Sequence, residues 1–122
     1  MRITEEYLKN HVDHIFVFGD NLERKGKGGA ANLRDLPNTF GFITKKAPNN
    51  LDSSFYKPEE YLPVFLKEMC VLVDFIRSNK DKQFLISKLG SGLANRYGIF
   101  DDVIELHIIN LLNSFDNVKF LW

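Results

Sequence analysis

The sequence predicts an α/β fold in three layers, a mostly parallel central sheet with flanking helices. Three observations carry that expectation. Short runs rich in β-branched and aromatic residues alternate with amphipathic stretches, the order that gives parallel pairing through right-handed crossovers. The first run, His14 to Phe18, is apolar at nearly every position, as suits a strand covered on both faces. Glycines and polar residues gather where the runs end, above all in VFGDNLERKGKGGAANL at 17–33.

The elements follow in order. HIFVF (14–18) is the first strand, and GGAANLRDL (28–36) reads as a short helix stopped by Pro37 and Asn38. TFGFIT (39–44) is the second strand, followed by a polar loop over 45–57. Pro58 suits the first turn of the longest helix, where Glu59 and Glu60 meet its positive end. Leu62, Phe65, Met69, Leu72, Val73 and Ile76 then recur at helical steps and predict its buried stripe. QFLIS (83–87) is the third strand and KLGSGLANRYG (88–98) a glycine-rich loop. The next amphipathic helix spans 99–115, with Val103, Leu106 or His107, Leu111 and Phe115 facing inward. VKFLW (118–122) is the last strand.

Residues 1–122 read as one domain, long enough to bury about two thirds of its unfolded surface. Sixteen basic and sixteen acidic residues cancel, so no global charge draws the chain to nucleic acid or membrane. Cys70 is the one cysteine, which excludes an intrachain disulfide; its apolar surroundings predict a buried thiol. The opening MRITEEYLKN is too acidic for a secretory signal and no apolar run reaches membrane-spanning length, so a cytoplasmic protein is expected. His11, His14 and His107 match no metal-ligand spacing, and the sequence asks for neither metal nor cofactor.

In a parallel sheet, ligands bind beyond the carboxyl ends of the strands. The turns at 19–29, 44–50 and 88–97 all fall at such ends and are expected to meet. Gly26, Gly28 and Gly29 allow backbone N–H groups to turn toward one point, and Gly90-Ser91-Gly92 repeats the device. Two such loops side by side suit a diphosphate. Neither matches the Walker or dinucleotide pattern. Asp20 and Asn21 suit either hydrogen bonds to a sugar or base, or an Asx-turn that orders the loop. Lys45 or Lys46, after Thr44, suits a phosphate partner, a nucleophile if desolvated, or a solvated strand end. Arg96 suits an anion clamp or an exposed position, and Tyr97 or Phe100 a stacking ring or a core residue.

These segments resemble the macrodomain family, and within it the terminal ADP-ribose glycohydrolases, including antitoxin macrodomains that reverse DNA ADP-ribosylation. NLERKGKGGAANL is similar to that branch's asparagine and glycine-lysine-glycine loop, FITKK (42–46) to its threonine-lysine strand end, and KLGSGLANRYGIFDDVI (88–104) to its glycine-any-glycine-leucine loop. The similarity runs from His14 to Trp122, and short phage-encoded proteins share the layout. The resemblance implies ADP-ribose or another NAD-derived nucleotide as ligand. It sets Asp20 or Asn21 near the adenine or distal ribose, and Gly26, Lys27, Gly28 and Gly29 along the diphosphate and distal ribose. Gly90, Ser91, Gly92, Leu93, Ala94 and Asn95 lie in the loop that would cradle it from the other side, and Thr44 adjoins the lysine. Lys45 matches the lysine that attacks the anomeric carbon. The branch's protein-directed members carry an aspartate where this chain has Ala94 followed by Asn95. The expected function is therefore ADP-ribose binding, either with Lys45-dependent hydrolysis of an adduct on DNA or protein, or as a non-catalytic nucleotide binder. A fold-only interaction protein is the third reading. Arg24, Lys25, Lys27, Lys45, Lys46 and Arg96 would form a basic rim suited to a DNA-borne adduct.

Overall fold

The computed structural model describes residues 2–122. Strands β1 (His14–Asn21), β2 (Thr39–Lys45), β3 (Gln83–Ile86) and β4 (Val118–Phe120) form one sheet in the order β2-β1-β3-β4. Every pairing is parallel. The runs expected at 14–18, 39–44, 83–87 and 118–122 all become strands, with ends moved by a few residues.

Alternation along β1 divides the core. Ile15 and Val17 join one buried cluster, Phe16 and Phe18 the other. The first cluster takes α2 (Pro58–Ser78) and α3 (Glu105–Leu112). The second takes α1 (Glu5–Asn10) and the 3-10 turn Gly29–Leu33. Right-handed crossovers explain this division. The steps β2 to β3 and β3 to β4 run one way across the sheet, and β1 to β2 runs the other, so their connections lie on opposite faces. The neighbours β1 and β3 thus mark the point where the chain direction reverses, where a crevice opens beyond the strand ends.

The outer edge of β2 is closed by side chains. The Ile43 N–H donates to Glu68 at 2.7 Å, and the Tyr61 hydroxyl donates to the Ile43 carbonyl at 2.6 Å. Arg24 donates to the Gly41 carbonyl at 2.7 Å, and Lys45 bridges Phe55. An edge strand otherwise offers these groups to another chain. This bond explains why Glu68, a charged residue in the middle of α2, is buried.

Several expectations are corrected. The helix expected at 28–36 is the single 3-10 turn Gly29–Leu33, because two glycines and Pro37 leave too few residues to offset helix nucleation. The 99–115 helix begins with a π-turn, Phe100–Ile104. Its wider turn shifts the buried stripe to Ile104, Ile108 and Leu112, while Leu106, His107 and Leu111 are exposed. In α2, Phe65, Met69, Leu72 and Ile76 are buried as expected, but Leu62 and Cys70 are exposed. Each follows an inward residue, Tyr61 or Met69, and so lies about 100° round the helix. Helix α1 was not anticipated, although Thr4 caps it by accepting from the Tyr7 N–H at 3.1 Å. Among the described residues, no helix is long and apolar enough to cross a membrane.

Candidate functional site

Beyond the carboxyl ends of β1, β2 and β3 lies a cavity of about 510 Å³. The three distant turns meet around it. Asp20, Asn21, Gly26, Gly28 and Gly29 come from the first, Thr44 and Lys45 from the second, and Gly90, Gly92, Leu93 and Ala94 from the third. Lys27, Ser91 and Asn95 do not line it. Lys27 pairs with Asp35, and the Ser91 hydroxyl donates to the Lys88 carbonyl at 2.7 Å. Asn95 accepts from the Phe100 N–H at 2.9 Å and donates to Asp101 at 3.0 Å, so both ends of its amide are occupied.

The glycine loops leave their backbone accessible. A Cβ on Gly28, Gly29 or Gly92 would meet nothing within 4 Å. Among the described residues, none of these N–H groups donates to a protein atom. Gly90 is fixed differently: its φ is +74°, and a Cβ would come within 2.6 Å of Ile104 Cδ1, so this turn admits no side chain. The structured segments after these loops, Gly29–Leu33 and Leu93–Tyr97, are 3-10 turns of five residues each. Helix dipoles therefore contribute little here, and the accessible amides are the groups an anion would meet.

Asp20 and Asn21 are engaged within the loop. The Asp20 carboxylate is 1% exposed. It accepts from Arg34 at 2.6 and 3.0 Å, from Arg24 at 3.3 Å and from the Asn21 N–H at 2.8 Å. Asn21 makes the Asx-turn, accepting from the Glu23 N–H at 3.0 Å and donating to the Lys25 carbonyl at 2.8 Å. Of the two uses open to this pair, the side chains take the loop-ordering one.

Lys45 ends β2 with its ammonium donating to the Asn49 carbonyl at 2.9 Å, over the Phe55 ring at 4.8 Å. The Arg96 guanidinium covers the same ring at 4.1 Å and pairs with Asp52 at 2.5 Å. Partial burial, and then the Arg96 charge, hold the Lys45 amine below the usual lysine range. Lys46 pairs instead with Glu60 at 2.9 Å. Of the aromatic candidates, Phe100 is buried under the Lys88 ammonium, and Tyr97 lies beside Lys57.

Lys25, expected in the basic rim, lines the same cavity, and so does Lys88, which sequence reasoning missed. That reasoning also missed a second cavity, of about 500 Å³, which shares Gly29, Ala30, Ser87 and Lys88 with the first. Ile3, Phe16, Leu33 and Leu121 give it apolar surface, and Arg2, Thr4 and Asn32 give it polar groups. The second cavity depends on the chain's two ends meeting across the sheet, which no local pattern signals.

Residues 1–95 match a family described as a family of unknown function (DUF7831). The chain belongs to that family. The first two crevice turns of this DUF7831 chain fall within the matched residues and the third does up to Asn95, whereas α3 and β4 lie beyond them. No curated protein and no solved structure matches the chain.

Proposed function

We propose that this DUF7831 chain is a macrodomain-like module that binds ADP-ribose or a related NAD-derived nucleotide. The observation that carries the reading is the meeting of the Gly28, Lys45 and Gly92 turns around one cavity. Accessible amides and the cations of Lys25, Lys45 and Lys88 supply what a diphosphate requires. The adjoining cavity, apolar in part and polar at Asn32 and Thr4, suits a nucleobase beside that diphosphate.

Within this reading the chain acts as an ADP-ribosyl hydrolase through Lys45. The unprotonated Nζ attacks the anomeric carbon, whose bond to the adduct breaks, and the adduct leaves with the electron pair. The departing group takes a proton from the new ammonium; water then adds its hydroxyl to the anomeric carbon and gives its other proton to the Lys45 nitrogen, which leaves as the free amine. The lowered basicity of Lys45 favours the neutral amine that this step needs. A non-catalytic binder is the second reading. Ala94 stands where the resemblance carries an acid, and Asn95 has both ends of its amide occupied.

Calorimetric titration with ADP-ribose tests binding, and saturation is expected. Gly92→Glu is expected to abolish it by filling open space with a like-charged group. No heat at millimolar ADP-ribose would refute the reading. Incubation with ADP-ribosylated DNA and protein then separates the two forms: release that Lys45→Ala removes supports the enzyme, and binding without release supports the binder.

A further inference from the structure

We propose that Arg34, seated on the buried carboxylate of Asp20, is the positioning residue of the crevice: it holds the 25–27 backbone in the form that presents its N–H groups to an anionic, phosphate-bearing ligand. The inference rests on the nucleotide-binding reading above.

Arg34 is 15% exposed and Asp20 is 1% exposed in their side chains. Their forked contact, at 2.6 and 3.0 Å, uses both carboxylate oxygens. Such a planar pair fixes the guanidinium in orientation as well as place. Two further N–H groups of Arg34 go to backbone. Nε donates to the Gly26 carbonyl at 2.9 Å, and a terminal nitrogen donates to the Lys25 carbonyl at 3.2 Å. Asn21 holds the Lys25 carbonyl as well, at 2.8 Å.

The geometry of the peptide bond gives these contacts their consequence. In a trans peptide the carbonyl and the following N–H point in opposite directions. Pinning the carbonyls of Lys25 and Gly26 on Arg34 therefore turns the N–H groups of Gly26 and Lys27 away from it. Neither N–H donates to another atom among the described residues. Lys25 and Gly26 both border the crevice, so the peptide between them is held there with its donor available, and the Lys27 N–H follows next to it. Gly26 adopts φ +92° to do this, a conformation that costs other residues energy.

The same carboxylate is tied to the strand that leads into the second turn. Arg24, itself at φ +55°, joins Asp20 at 3.3 Å to the Gly41 carbonyl at 2.7 Å on β2. A Cβ at Gly41 would overlap the Asp20 carboxylate. The Asp20 charge is thus built into the sheet, and Arg34 conveys that fixed position to the loop.

Arg34→Lys keeps the positive charge and removes the fork. Pyrophosphate and ADP-ribose affinities are expected to fall about tenfold or more, the loss of one or two charge-assisted bonds' worth of preorganisation. NMR order parameters of the Gly26 and Lys27 amides are expected to fall, with hydrogen exchange in β1 and β3 unchanged. Added methylguanidinium is expected to restore pyrophosphate binding to Arg34→Ala. Unaltered affinity in Arg34→Lys would overturn the proposal, as would faster exchange throughout β1, which would mark a merely structural role. If the wild-type chain binds neither probe, the nucleotide reading fails on its own account. The loop claim is then decided by the order parameters, and unchanged values at Gly26 and Lys27 in Arg34→Lys would overturn it.

Discussion

In the proposed reaction, Lys45 concentrates the chemistry at one atom. Its ammonium is partly desolvated beside Phe55 and feels the Arg96 charge. Both effects disfavour the charged form, so the amine becomes neutral at a lower pH than an ordinary lysine does. An activity that requires the neutral amine should rise with pH and level off below the ordinary lysine value of 10.5. Arg96→Ala should move that midpoint upward, toward an ordinary lysine, and a pH–rate profile of both proteins checks it. The sign for stability is consistent: the folded state disfavours the charged amine, so the penalty is present at neutral pH and is relieved as pH rises through the folded pKa. Gly41 is the second decisive residue. Gly41→Ala should destabilise the fold by about 1–3 kcal/mol through its clash with Asp20, measurable by urea unfolding. Lys45 was legible as a candidate nucleophile from its place at a strand end, but the Arg34–Asp20 fork was not, because the two residues are fourteen apart and Arg34 belongs to no motif.

At the scale of elements, α2 does two jobs. Its inner stripe covers one face of the sheet, and Glu68 and Tyr61 close the edge of β2. The edge bonds also hold the strand that ends in Lys45. Tyr61→Phe leaves the Ile43 carbonyl without its donor and should cost about 1 kcal/mol. Thermal unfolding would measure the loss, and faster exchange at the neighbouring β2 amides would locate it. The strands are legible in the sequence because short apolar runs between polar turns leave few alternatives. The phase of α3 is not, because the π-turn Phe100–Ile104 depends on packing that a fixed helical period cannot anticipate. Glu68 escapes the periodic reading for a related reason. A charged residue is assigned to solvent until its partner, a strand amide 25 residues away, is known.

For the whole molecule, topology places the site. The reversal of chain direction between β1 and β3, with β2 beside β1, brings the 19–29, 44–50 and 88–97 turns to one rim. This convergence follows from alternating strands and helices alone, and it was legible before any coordinate. The second cavity was not, since it unites Arg2 to Glu5 with Leu121 at the far end of the chain. The account stands on the three turns acting together on one diphosphate. The most direct measurement is an amide chemical-shift titration with ADP-ribose. Resonances of Gly28, Lys45 and Gly92 should move together and fit one dissociation constant. Shifts confined to one turn, or none at millimolar ligand, would contradict it.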